Sequence, residues 1–82
     1  MIIHNPKELA MFIKNHRKKQ KISQTEISNQ VRLKQSTISA FESRPETTKL
    51  ETLFRILSAI NLEIHIDSKN VPKDHHHWKE EW

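Results

Sequence analysis

The stretch Gln24–Glu42, QTEISNQVRLKQSTISAFE, decides the reading of this chain. Apolar residues recur at Ile27, Val31, Leu33, Ile38 and Phe41. That spacing predicts two short helices with a turn between them. The first starts near Gln24 and ends near Val31, and the second starts near Gln35. Ile27 and Val31 face inward from the first, Leu33 plugs the turn, and Ile38 and Phe41 anchor the second. Ser28 is small where the helices approach closely. The inward set leaves Gln35, Ser36, Thr37 and Ser39 projecting outward from the start of the second helix.

The segments on either side carry matching start signals. "NPKE" offers Asn5 as an N-cap, Pro6 at the first helical position and Glu8 three residues after the cap. "SQTE" offers Ser23 and Glu26 in the same roles, and "TKLE" offers Thr48 and Glu51. A cap side chain accepts from the third helical N–H, and the Glu reaches back to the cap. Three such boxes, each followed by helix-period apolar residues, mark three helix starts. The first helix is expected from Pro6 to about Gln20, with Leu9, Phe12, Ile13 and His16 inward. His16 reads as a half-buried, hydrogen-bonded core histidine. The basic end "RKKQK", residues 17–21, suits the negative pole of the helix and is read as solvated or contacting phosphate. The helix from Gln35 stops by Arg44, because Pro45 disfavours a helical residue before it. The last helix is expected from about Lys49 to Ile60. Its apolar face is broad enough for both the domain core and a second subunit.

The period then changes. "LEIHID", Leu62–Asp67, alternates, with Leu62, Ile64 and Ile66 on one face. This reads as a strand of about residues 62–67, and one strand cannot satisfy its own backbone. Its partner is either the N-terminal "MIIH" or the same strand of another copy. From Ser68 the chain is polar and aperiodic, a tail over 68–82. Residues 1–61 form the one small domain that the length supports.

Composition excludes several functions. Hydrophobic residues are 34% of the 82 and aromatics 6%, so the core is modest. There is no Cys, hence no disulfide or thiolate metal site. There is no Gly, hence no phosphate loop or dinucleotide fingerprint. No apolar run approaches the roughly 20 residues that cross a membrane, and "MIIHNPK" lacks signal-peptide order. A cytoplasmic protein without cofactor or enzymatic activity is expected. Residues 1–61 hold 11 Lys/Arg against 5 Asp/Glu, and residues 62–82 hold 3 against 5. A basic body fits a polyanionic partner, and the acidic tail fits a different one or none.

The polar cluster now has a use. The N-terminal end of the second helix in such a pair enters the DNA major groove. Gln bonds adenine bidentately, and hydroxyls reach base edges or phosphates. Gln24 and Lys34 stand at the two helix starts, where free N–H groups favour phosphate. Gln24, Lys34, Gln35, Ser36, Thr37 and Ser39 are therefore the candidate DNA-binding residues.

Over about residues 6–61 the chain resembles the phage-repressor (Cro/C1-type, Xre) helix-turn-helix family, with the apolar, small and polar positions agreeing throughout Gln24–Ser43. Within it, "NPKELAMFIKNHRKKQKISQTEIS", "KQSTIS", "TKLETLFRILSAINLE" and the Glu-Trp end resemble the HipB-type antitoxins. The resemblance implies an all-α, four- to five-helix lambda-repressor-like domain whose one short C-terminal strand pairs across a homodimer. It implies double-stranded operator DNA as ligand, repression of the chain's own operon, and a HipA-type Ser/Thr kinase toxin, single-chain or split, as partner. The alternative is a phage-type repressor with no toxin. Two positions depart from the family pattern. Arg32 stands where the turn usually has Gly, and Lys34 where Ser often caps. A left-handed conformation at Arg32 costs on the order of 1 kcal/mol.

The tail holds "HHHW", residues 75–78, and ends "WKEEW". A His run on an unstructured segment lacks the support a metal site needs, so no metal is assigned. Large aromatics in a polar tail have no core to join and suit a partner's pocket. Trp82 is the candidate partner-binding residue.

Overall fold

The structure is a computed structural model that describes residues 2–69. It contains four α-helices: α1 (Pro6–Lys19), α2 (Gln24–Val31), α3 (Gln35–Ser43) and α4 (Leu50–Ala59). A 3-10 turn, Pro45–Thr47, joins α3 to α4. α3 packs against α1 and α2, and α2 against α4.

Two of the three expected caps form. Asn5 Oδ1 accepts from the Glu8 N–H at 2.8 Å. Glu8 reaches one residue beyond the cap, accepting from the His4 N–H at 2.7 Å. Ser23 and Glu26 make the complete reciprocal box, at 3.0 and 2.7 Å. The third expectation is corrected. α4 is entered from Lys49, with no side-chain cap, and Thr48 instead closes the 3-10 turn by donating its N–H to the Pro45 carbonyl at 3.0 Å. Pro45 starts that turn as well as ending α3, and so consumes the residue that would have capped α4. Glu51 pairs weakly with Arg55, one helical turn on, at 3.5 Å.

The core is one cluster: Ala10, Ile13, Ile27, Ile38, Phe41, Leu53, Ile56, Leu57 and Ile60, with Leu9, Phe12, Ile22, Val31, Leu33, Ala59 and Leu62 half-buried around it. Every helix contributes to it. Burying each such aliphatic or Phe side chain is worth about 1.5–3 kcal/mol, and this supplies the stability that helices of 8 to 14 residues lack alone. Ser28 is buried as expected and returns its hydroxyl to the Thr25 carbonyl at 2.9 Å. His16 differs from expectation. Its ring stacks on Phe12, and its Nε2 is buried without a hydrogen-bond partner.

The broad face of α4 divides. Leu53, Ile56 and Leu57 are buried, while Leu50 is 71% and Phe54 54% exposed. Among the described residues there is no strand, and residues 62–68 have no ladder partner, either in "MIIH" or elsewhere. Leu62 packs against the core, whereas Ile64 and Ile66 are exposed. His75–His77, Trp78 and Trp82 lie outside the described residues.

Three helices end alike. Ile22, Leu33 and Leu62 each donate an N–H five residues back, to the carbonyls of Arg17, Ser28 and Leu57. In each, the residue just before the donor is left-handed: Lys21, Arg32 and Asn61, with φ near 60°. This is the closing bond that Gly normally permits, and this chain has no Gly. Arg32, at φ 58° and ψ 43°, carries the strain anticipated from its place in the turn. Arg32→Gly is expected to raise the urea or thermal midpoint by up to about 1 kcal/mol of stability. A clear fall would show that contacts of the Arg32 side chain outweigh its backbone strain.

Candidate nucleic-acid interface

α3 presents its first turn to solvent because its other side is held by Ile38 and Phe41, exposed by only 1% and 2%. Lys34, Gln35, Ser36 and Ser39 are exposed, and Thr37 is half-buried. Lys34 occupies the cap position in extended backbone and gives no side-chain cap. The Gln35 and Ser36 N–H groups therefore keep their capacity for an outside acceptor, while the Thr37 N–H donates to the Lys34 carbonyl at 2.9 Å, and the helix dipole favours an anion there. What the lost cap costs in stability, it returns as a cation and a free anion site at one point.

Gln24, at the start of α2, lies against this turn. Its Oε1 accepts from Gln35 Nε2 at 3.4 Å, and its Nε2 donates to Glu42 Oε1 at 2.9 Å. Glu42 is in turn forked by Arg17, whose Nε donates to Oε2 at 2.8 Å and Nη2 to Oε1 at 3.1 Å. Arg17 Nη1 donates to the Ile22 carbonyl at 2.8 Å, tying α1 to the loop before α2. The two charged side chains are only 9% and 5% exposed.

This pair corrects one expectation and adds two residues. Arg17, read as part of a solvated or phosphate-contacting basic end, is buried and committed to Glu42. The signal was present in the spacing. Arg17 follows Ile13 by four residues and Glu42 follows Ile38 by four, and both isoleucines are fully buried. Each charge thus continues an inward stripe, and buried opposite charges pair. Lys18, Lys19 and Lys21 remain exposed.

The arrangement suits duplex DNA. A short helix offers an amide and hydroxyls at its exposed start, beside a cation and free N–H groups. Gln35→Ala is expected to cost about 1–3 kcal/mol of operator affinity and to relax preference at one base pair. Lys34→Ala should weaken all sequences alike and lower the salt slope by about one unit. Competition titrations over a salt series measure both. Unchanged sequence preference in Gln35→Ala would remove that residue from base reading.

The helix-turn-helix family model matches residues 13–66. Antitoxin HipB of Escherichia coli O6:H1 (strain CFT073) is 38% identical over 69 residues, spanning 83% of this chain and 73% of its own. Antitoxin HipB of Escherichia coli (strain K12) is equally identical over the same length, and the match spans 78% of it. A chain in the structure of a HipA–HipB–O2–O3 complex superposes with a TM-score of 0.82 at 33% identity, covering 84% of this chain and 97% of that one.

Proposed function

The chain belongs to the HipB antitoxins of the helix-turn-helix family, and from that membership we propose that it is an antitoxin and autorepressor that binds operator DNA as a homodimer and complexes a HipA-type Ser/Thr kinase toxin. It is a regulator rather than an enzyme. The observation that carries DNA binding is the exposed first turn of α3, with Lys34, Gln35, Ser36 and Ser39 available and Gln35 held by Gln24. Thr37, half-buried, contributes from the edge of that surface. The domain proper is residues 1–61, followed by a pairing segment over 62–67 and a tail over 68–82. The protein acts in the cytoplasm, where operator and toxin are both within reach.

The exposed α4 residues Leu50 and Phe54 and the exposed residues Ile64 and Ile66 support the homodimer, because each is apolar surface left uncovered among the described residues. Leu62 contributes to dimerisation by fixing the start of that segment on the core. A plain phage-type repressor would share all of this, so the toxin is what distinguishes the two readings. Mass spectrometry of proteins that co-purify with the untagged chain tests it. Recovery of a kinase-fold toxin, single-chain or split, is the expected result, and recovery of no such protein from a chain that still shifts operator DNA on a gel would favour the plain repressor. Trp82 is assigned to the toxin contact on chemistry, since a bulky ring beside Glu80 and Glu81 fits an apolar slot rimmed by Arg or Lys. Trp82→Ala should weaken the toxin complex and leave operator affinity and circular dichroism unchanged. Equal toxin affinity for the two proteins would remove Trp82 from the interface.

A further inference from the structure

We propose that Glu42, a buried carboxylate that reaches no nucleic acid, is a specificity-determining positioning residue: through Gln24 it sets which end of the Gln35 amide faces Gln24 and which remains free to read a base.

The argument is one of donors and acceptors. A Gln side chain has one accepting and one donating end, similar in shape, and it can turn over at little steric cost. An ionised carboxylate only accepts. Where Gln24 meets Glu42 Oε1 at 2.9 Å, only its Nε2 can face inward, since an oxygen there would set lone pairs against lone pairs. Gln24 Oε1 is thereby turned outward, and it accepts from Gln35 Nε2 at 3.4 Å. This in turn leaves the Gln35 Oε1 unengaged, with one N–H of Nε2 still free beside it. The anchor cannot turn over, because Arg17 holds both carboxylate oxygens and is itself fixed to the Ile22 carbonyl. Polarity set in the interior is thus handed across two amides to the surface.

A Gln held this way presents one acceptor and one donor in a fixed order. Adenine offers the complementary N6 donor and N7 acceptor in the major groove, whereas guanine offers two acceptors there. A freely turning amide can move its NH₂ toward guanine or its oxygen toward cytosine, and so blurs the choice. The lock removes that freedom before binding, which lowers the ordering cost of the correct contact.

The inference rests on the operator-binding reading, and enrichment from a random duplex DNA pool separates the two. The full-length chain is compared with Arg17→Met/Glu42→Leu, Gln24→Met and Gln35→Ala. The double variant replaces the buried pair with apolar side chains, an exchange that folds keep or gain stability from. The readout is base preference at each position, a ratio from which any affinity loss common to all sequences drops out. The unsubstituted chain is expected to prefer A·T about 5- to 150-fold at the position that Gln35→Ala flattens. Both other variants should reduce that preference to within a factor of about 3, with preferences elsewhere retained. If the double variant does not fold, Glu42→Gln, which keeps the side chain's shape but can offer Gln24 either a donor or an acceptor, takes its place. Retained preference at that position in a folded variant overturns the proposal. Equal flattening at every position also overturns it, since that is what a purely structural pair would do. Absence of any enriched sequence with the unsubstituted chain would overturn operator binding itself, and this inference with it.

Discussion

Glu42→Ala is expected to cost about 3–5 kcal/mol of folding stability, because it strands the Arg17 guanidinium in the interior. Arg17 is 9% exposed, and two of its nitrogens donate to the Glu42 carboxylate. A small domain is stable by only about 5–15 kcal/mol, and this one has 82 residues and a modest core, so the loss takes much of the total. The pair itself contributes far less than its removal costs, since desolvation offsets most of the Coulomb gain. Two consequences follow. Arg17→Met alone should be milder than Glu42→Ala, because the carboxylate left behind keeps the Gln24 amide as a donor. The double variant Arg17→Met/Glu42→Leu should recover most of the loss, and with Glu42→Leu measured beside Arg17→Met the cycle should be strongly non-additive. Urea titrations of the five proteins give each quantity. A cost below about 1 kcal/mol for Glu42→Ala would mean that water reaches the pair and that it behaves as a surface bridge.

The helices and the exposed first turn of α3 were legible because both follow from local chemistry. Caps at Asn5 and Ser23, the breaker at Pro45 and the inward spacing of Ile27, Ile38 and Phe41 each act within one helical turn. The boundaries of α2 came out as expected, from Gln24 to Val31. The failures share a cause. The Thr48 cap was lost to a 3-10 turn that Pro45 initiates three residues earlier, a competition between two local signals that each look complete alone. Arg17 was misplaced because its partner lies 25 residues away, and charge in a basic run reads as surface until an acid on another inward stripe is set beside it. His16 fits its stripe, yet its bonding depends on what faces it from other helices, which periodicity does not report. The left-handed residues Lys21 and Asn61 carried no Gly to announce them, whereas Arg32 was visible because its turn has a known spacing. The segment after α4 illustrates the remaining limit. Alternation at Leu62, Ile64 and Ile66 specifies a face, but a ladder needs a second strand, and the described chain supplies none.

Ile64→Lys should sharply reduce operator affinity without unfolding the domain. Ile64 is 40% exposed and lies beyond the buried cluster, so the substitution removes little from the core. Ile66, two residues on along the same alternation, is 80% exposed, and neither is covered among the described residues. If the two copies pair along this segment, a charge at position 64 enters the seam twice, once from each subunit, and like charges facing across a ladder repel. The DNA consequence is larger than the protein one. Two recognition helices reach successive major grooves about 34 Å apart, and only a dimer presents both. Linking two half-site contacts raises affinity by roughly 10²–10⁴ over one, through effective concentration alone. A monomer forfeits that factor while each α3 keeps its own contacts, so half-site preference should persist at much weaker binding. Ser58→Lys, an exposed substitution on α4 that borders Phe54 without belonging to the apolar alternation, serves as the comparison. Sedimentation separates the possibilities. A monomeric Ile64→Lys beside a dimeric Ser58→Lys places the seam on residues 62–67. A dimeric Ile64→Lys beside a monomeric Ser58→Lys moves it to the face of α4 around Leu50 and Phe54, which are 71% and 54% exposed.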